Sequence, residues 1–98
     1  MAKSVKAVVS PDLSRPFSVA LLGAAIKAKR TQSGITQTDA AALCGIAKQT
    51  YIKVEQGRDD IRLSTVMDVM QGLGVQLAIQ PWEQQIYSAN GEDNDGWV

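Results

Sequence analysis

The sequence lacks histidine and has a single cysteine, Cys44, among its 98 residues. Zinc sites take three or four protein ligands, mostly Cys and His, so these two residue types cannot supply one here. Ser-His and Cys-His pairs, which activate nucleophiles in many enzymes, are excluded for the same reason. A lone cysteine cannot close an intrachain disulfide, which is typical of a reducing cytoplasm. We therefore expect a cytoplasmic protein that has no metal, no other cofactor and no enzymatic activity.

Long apolar stretches are also missing. The longest uncharged stretch of helical character, residues 19–26, is far shorter than the roughly 20 apolar residues of a membrane-spanning helix. The first ten residues contain basic side chains, but their apolar run is too short for a secretory signal. The sequence therefore predicts no membrane partner.

The chain carries no net charge, because ten Lys and Arg residues balance ten Asp and Glu residues. Taken alone, this balance argues against a nucleic-acid-binding protein. The charges are distributed unevenly, however: all ten basic residues and five acids lie at or before Arg62, and the other five acids follow it. The chain is thus net +5 up to Arg62 and net −5 after it. We expect the two parts to face different partners.

Capping residues and glycines divide residues 14–74 into helices. With their caps, we expect these helices at residues 14–32, 36–45, 47–56 and 64–73. Ser14 with Pro16 indicates the start of the first helix, and Ser18 is a competing N-cap. Thr36 and Ser64 are the predicted N-caps of the second and fourth helices.

The remaining segments flank this domain. Residues 1–13 form a lead-in, either flexible or containing a short strand at residues 5–9. Residues 75–80 alternate apolar and polar side chains up to Pro81, which predicts a half-buried strand. An apolar strand without a partner favours association, so we expect two copies to pair antiparallel about a two-fold axis. The apolar side chains of this dimerisation strand are those of Val75, Leu77 and Ile79.

An acidic segment, residues 81–98, ends the chain and contains no basic residue. Its composition predicts a flexible tail. Trp97 is either an isolated aromatic at a disordered end or an anchor that docks in a pocket of a partner.

The second and third helices, joined by a tight turn, have the layout of a helix-turn-helix. In this motif the second helix enters the major groove of DNA and the first braces it. Gly45 fits the turn because glycine tolerates backbone conformations that other residues avoid. Ala41 fits the point where the helices cross, and we expect no room for a bulky residue at either position.

One face of the third helix is polar. It carries Lys48, Gln49, Ile52 and Lys53, whose spacing places them on one side of the helix. Such a face can simply be solvated. Within a helix-turn-helix, however, glutamine can pair with adenine and lysine with guanine. Ile52 either contacts a thymine methyl group or packs under a loop.

Residues 18–74 resemble the phage-repressor (Cro/C1, Xre-type) helix-turn-helix family. The residues that agree in register are Arg30, Gln37, Ala41, Gly45, Glu55 and Gly57. The resemblance implies DNA contacts from Gln37, Lys48, Gln49, Thr50, Ile52 and Lys53. It also implies an interhelical ion pair between Arg30 and Glu55. Phosphate contacts are plausible for Lys27, Arg30, Thr36 and Arg58, although surface basic residues are more often only solvated.

A narrower resemblance extends past this motif. Residues 63–73, the strand and the Trp-bearing tail are similar to HipB-type antitoxins. That family implies a C-terminal strand that pairs across a dimer, a disordered tail and a HipA-type serine/threonine-kinase toxin as partner. This chain departs from that pattern in its longer acidic tail and longer lead-in.

Together these features predict a mainly α, four- to five-helix phage-repressor-like domain with a C-terminal β-strand pairing across a dimer. The predicted function is sequence-specific repression at an inverted repeat in double-stranded DNA, as an antitoxin that represses its own operon and binds a kinase toxin. Two alternatives remain: a free-standing phage-type repressor, and an adaptor of the same fold that binds proteins but no DNA.

Overall fold

A computed structural model describes residues 5–83 of the chain. Its helices are α1 (Val19–Gln32), α2 (Gln37–Cys44), α3 (Lys48–Glu55) and α4 (Leu63–Leu73). The expected mainly helical architecture is confirmed, with four helices and no β-strand in the part described. None of these helices is long and apolar enough to cross a membrane.

The first helix begins later than Ser14 and Pro16 indicate, so that expected start is wrong. Ser18, the competing candidate, is the N-cap, and its hydroxyl accepts a hydrogen bond from the Leu21 N–H at 3.0 Å. Ser14 instead donates its backbone N–H, at 3.0 Å, and its hydroxyl to the carboxylate of Asp12. A local turn of this kind competes with helix formation, which explains the shift.

The N-cap of the fourth helix is also displaced from its expected position. Arg62, not Ser64, is the N-cap of α4, and its side chain makes no capping hydrogen bond. The second helix does begin at its expected cap, because the Thr36 hydroxyl accepts the Asp39 N–H at 3.2 Å. The hydroxyl of Thr36 thus satisfies a backbone donor that the first turn of α2 leaves open.

All four helices contribute to one core. Its largest fully buried side chains are Ile26 from α1, Tyr51 from α3 and Val69 from α4. Helix α2 contributes two alanines, Ala40 and Ala41, which are also buried. Because these side chains are small, α3 and α4 can both pack closely against α2.

A close contact between α1 and α3 depends on Gly23. A Cβ atom at this position would lie 2.6 Å from the backbone oxygen of Glu55 and 2.8 Å from that of Val54. Only glycine avoids this overlap, so Gly23 allows the end of α3 to rest directly on α1. Local sequence gives no sign of this role, since the neighbouring residues belong to a distant part of the chain.

The segment after α4 does not form the expected strand within the described residues. Val75 is half-buried against the core, and its N–H donates to the Met70 carbonyl at 2.9 Å. Leu77 and Ile79 are 53% and 89% exposed. Residues 5–9 form no strand beside it, because Val8 is bound to the end of α1 instead. Strand pairing across a dimer therefore stays a prediction, and most of the acidic segment, including Trp97, lies outside the described residues.

Candidate nucleic-acid interface

The turn between α2 and α3 is only three residues long, from Gly45 to Ala47. Gly45 has φ 73° and ψ 29°, a left-handed conformation that favours glycine. The following residue, Ile46, donates its N–H to the Ala41 carbonyl at 3.0 Å, which closes the end of α2. A Cβ atom at Gly45 would meet no other atom within 4 Å. The expectation that this position lacks space is therefore wrong, and glycine is required by the backbone conformation alone.

Space does restrict the other position of the motif. Ala41 is 2% exposed and belongs to the core cluster. A larger side chain here would enter a packed core, where each added methylene group forces neighbours to move. The turn and the crossing thus depend on small residues for two different reasons.

The two faces of α3 are clearly separated. Tyr51 and Val54 are buried in the core. The opposite side carries Lys48, Gln49 and Lys53, which are exposed, and Ile52, which is half-buried. Thr50, the remaining residue of α3 that is predicted to contact DNA, is half-buried. Within residues 5–83, neither lysine of this face forms an ion pair. The structure leaves this basic face open, as entry into a DNA groove requires, while the contact itself stays a prediction.

The inner end of α3 is fixed by the carboxylate of Glu55. This carboxylate accepts hydrogen bonds from Arg30 Nε at 2.5 Å and Arg30 Nη2 at 3.2 Å. It also accepts the Tyr51 hydroxyl at 2.5 Å and Gln37 Nε2 at 3.1 Å. Arg30 Nη1 donates in addition to the carbonyl of Ile35 at 2.8 Å. We call Arg30, Gln37, Tyr51 and Glu55 the Glu55 cluster; it joins α1, α2 and α3 through buried polar bonds.

The charges of this cluster stabilise one another. Burial alone would raise the pKa of Glu55, but hydrogen bonds from Arg30, Tyr51 and Gln37 outweigh it and hold the pKa below its ordinary value. Burial also opposes the charge of Arg30, yet the neighbouring carboxylate raises the pKa of the guanidinium. Burial and the same carboxylate raise the pKa of Tyr51. At neutral pH the cluster therefore contains a charged Arg30–Glu55 pair and a neutral tyrosine.

Gln37 is both a predicted DNA contact and a member of the Glu55 cluster. This first residue of α2 is predicted to contact DNA, and it is half-buried with one N–H bound to Glu55. A carboxamide has a second N–H, so this bond leaves one donor that can face a phosphate. The bond from Gln37 to Glu55 has no signal in the sequence. The hydrogen bond of the Tyr51 hydroxyl does have one, because Tyr51 and Glu55 are four residues apart on one helix, a spacing that brings side chains together, but it is absent from the prediction.

The candidate phosphate contacts occupy different settings. Arg30 is buried and directed at Glu55 and Ile35, and the Thr36 hydroxyl caps α2. Lys27 is exposed on α1, and Arg58 is exposed beside Asp60 at 3.2 Å. The structure brings some of the candidates together in a cleft of about 360 Å³ beside the start of α2. The residues that line this cleft are Val5, Lys6, Arg30, Thr31, Thr36, Gln37, Thr38 and Lys48.

Comparison with known proteins gives the same architecture. A family model described as helix-turn-helix matches residues 26–80. A solved complex of HipA, HipB, O2 and O3 contains a chain with 28% identity and a TM-score of 0.63; the match covers 70% of this chain and 97% of that one. A HipB–O4 20-mer complex matches with 28% identity, the same coverage and a TM-score of 0.62. A complex of a single-residue HipB variant with an O2 20-mer matches with 26% identity, 74% and 100% coverage and a TM-score of 0.64. No curated protein sequence matches the chain.

Proposed function

The chain belongs to the helix-turn-helix family, and on that premise we propose that it is a dimeric, sequence-specific repressor that acts as a HipB-like antitoxin. Its target is an inverted repeat in double-stranded DNA, and its partner is a HipA-like serine/threonine-kinase toxin. Binding at its own promoter would make the pair autoregulated.

The observation that carries the DNA-binding proposal is the division of α3 into two faces. Its inner face is fixed by the core and by the Glu55 cluster, while Lys48, Gln49 and Lys53 point away from the body of the molecule. A rigid helix that presents donors of this kind can enter a major groove and bond to the edges of adenine and guanine. An exposed face on a mobile element would not hold the register that such contacts need.

The dimer is supported by apolar side chains that no other residue buries in the described part of a single chain. Leu77 and Ile79 are largely exposed, although they lie in an alternating segment typical of a strand. Pairing of this segment between two copies would bury them and present two α3 helices about a two-fold axis. The matching half-sites would be centred about 34 Å, one helical turn, apart.

The toxin partner is supported by the similarity to HipB. A solved complex contains HipB together with HipA, and the match spans nearly the whole of that HipB chain. The proposed anchor for the toxin is Trp97, because tryptophan is a frequent hot-spot residue of protein interfaces.

The central experiment measures DNA binding by the face of α3. Wild-type protein first selects its preferred duplex from a random-sequence pool. The affinities of Lys48→Ala and Gln49→Ala for that duplex are then measured, with Gln71→Ala, an exposed position on α4, as the matched control. Each change on α3 should weaken binding by about 5- to 150-fold, because each removes contacts worth about 1–3 kcal/mol of discrimination.

Two results would contradict the proposal. One is a wild-type protein that selects no sequence from the pool, which would favour an adaptor that binds only proteins. The other is an affinity for the selected duplex that the changes on α3 leave at the level of Gln71→Ala.

The dimer and the toxin require separate measurements. Ile79→Lys should convert a dimer to a monomer in sedimentation equilibrium, since a charge cannot be buried cheaply in a strand interface. A kinase-like product encoded beside this chain should copurify with wild-type protein and less with Trp97→Ala. A neighbourhood without such a reading frame would favour a free-standing repressor.

A further inference from the structure

The lead-in is attached to the body of the protein at Val8. The backbone N–H of Val8 donates to the Thr31 hydroxyl at 2.9 Å, and its carbonyl accepts from Gln32 Nε2 at 2.8 Å. The same Gln32 nitrogen also donates to the hydroxyl of Ser10 at 3.0 Å. Two neighbouring side chains at the end of α1 thus hold both polar groups of one lead-in residue. We call residues 5–10 the arm, and Thr31 and Gln32 its clamp.

The clamp has a fixed geometry. Thr31 is 6% exposed, and its hydroxyl donates to the Lys27 carbonyl at 2.9 Å while it accepts from Val8. Because this hydroxyl both donates and accepts a hydrogen bond, it cannot rotate freely, and the arm is held at one position along α1. Gln32 is exposed, and its role in the clamp can therefore be removed without disturbing the core.

Attachment at Val8 places two of the three described residues before it in the cleft beside the start of α2. Val5 and Lys6 line this cleft together with Gln37 and Lys48, two of the residues predicted to contact DNA. No acidic residue is among those that line it. Lys6 is exposed and forms no ion pair within residues 5–83. The cleft therefore presents two lysines with free charge on the side of the molecule that faces DNA in the proposed function.

We propose that the arm is part of the DNA-binding surface and that Lys6 contacts a backbone phosphate beside the groove entered by α3. This inference rests on the proposed function and extends it, since the family model begins only at residue 26. Phosphate contacts of this kind position a protein on DNA and release counterions, but they carry no sequence information. The clamp makes the contact effective because it holds Lys6 at the cleft before DNA binds, which reduces the entropy lost on binding.

The first test compares the removal of one positive charge at two positions before α1, Lys6 and Arg15. Lys6→Ala removes the proposed contact, and Arg15→Ala removes one positive charge just after the lead-in, at a residue that does not line the cleft. Affinity for the selected duplex is measured between about 50 mM and 1 M salt. The slope of log affinity against log salt is negative, and each lost phosphate contact should make it shallower by about 0.9 and weaken binding by about 5-fold per subunit at 0.15 M salt. Arg15→Ala should change neither quantity appreciably.

The second test asks whether the clamp is responsible for the position of Lys6. Lys6→Ala is repeated in the Gln32→Ala and Thr31→Val backgrounds, each of which removes one hydrogen bond to Val8. In both backgrounds the loss caused by Lys6→Ala should shrink to less than half of its value in the wild type. Circular dichroism of every variant confirms that the helices are retained.

The outcomes separate this inference from the proposed function. If Lys48→Ala and Gln49→Ala weaken binding but Lys6→Ala behaves like Arg15→Ala, the arm does not contact DNA and the repressor proposal stands. A full effect of Lys6→Ala in both clamp variants would also overturn the inference, because the clamp would then contribute nothing. If the wild type selects no duplex, both proposals fail.

Discussion

Replacement of Glu55 by glutamine tests whether the buried Glu55 cluster holds the domain together. The carboxylate accepts four hydrogen bonds, two of them from Arg30, and the Arg30 and Glu55 side chains are only 8% and 4% exposed. Glutamine keeps the shape of the side chain but turns one acceptor oxygen into an NH2 donor. Because Arg30 donates to both carboxylate oxygens, the NH2 group faces an Arg30 N–H whichever way the carboxamide turns. Tyr51 and Gln37 can reverse their hydrogen bonds, but a guanidinium has only donors.

The expected cost follows from this geometry. Glu55→Gln leaves the Arg30 charge buried without its counter-charge, and breaking a buried pair in this way costs about 3–5 kcal/mol. Small domains have a total free energy of unfolding of about 5–15 kcal/mol. The variant should therefore lose a large part of its stability, with a melting temperature lowered by about 12 °C or more.

Urea denaturation followed by circular dichroism measures this loss, and two further variants identify its cause. Asp60→Asn makes the same chemical change in an ion pair with Arg58 whose side chains are 49% and 56% exposed, so it should cost less than about 0.5 kcal/mol. Arg30→Met combined with Glu55→Gln removes the buried, unpaired charge of Arg30. The double variant should therefore have a free energy of unfolding about 2 kcal/mol higher than Glu55→Gln alone. The reasoning is refuted if Glu55→Gln costs no more than Asp60→Asn, or if the double variant is less stable than Glu55→Gln.

Three further predictions concern pH and two glycines. Because the pKa of Glu55 is lowered in the folded protein, its stabilising effect is complete above the ordinary carboxyl pKa of about 4.3 and is lost as pH falls through the lowered pKa. As pH is reduced below about 4, the urea midpoint should therefore decrease more steeply for the wild type than for Glu55→Gln. Parallel curves for the two proteins would contradict this. Gly23→Ala should destabilise by about 1–3 kcal/mol because its Cβ overlaps the end of α3, whereas helix propensity alone would give a gain of about 1 kcal/mol in the same urea measurement. Gly45→Ala should cost about 1–2 kcal/mol through its left-handed backbone, and Gly45→Asn less; equal losses for both would show that conformation is not the cause.

Local patterns were sufficient to predict the helices and the turn. Thr36 and Gly45 were identified correctly because capping hydrogen bonds and left-handed glycines act within a few residues. The error at Ser14 is local as well, since Asp12 two residues earlier competes for the serine. By contrast, the contact of Gly23 with α3 and the attachment of Val8 to Thr31 join segments far apart in sequence. Contacts between such distant segments leave no periodic pattern or capping residue in the sequence, so they could not be predicted from it.

The candidate site was predictable in its composition but not in its orientation. The spacing of Lys48, Gln49 and Lys53 indicates which side chains share a face, because that depends only on the geometry of one helix. An isolated helix as short as the eight-residue α3 is not stable in water, so the direction of its face depends on the tertiary contacts of its inner side. Those contacts are the burial of Tyr51 and the bonds of Glu55, which also reach Gln37 on α2. Changes of Tyr51 or Glu55 should therefore weaken DNA binding although neither side chain is predicted to touch DNA, because the orientation of the proposed DNA-binding surface depends on the core.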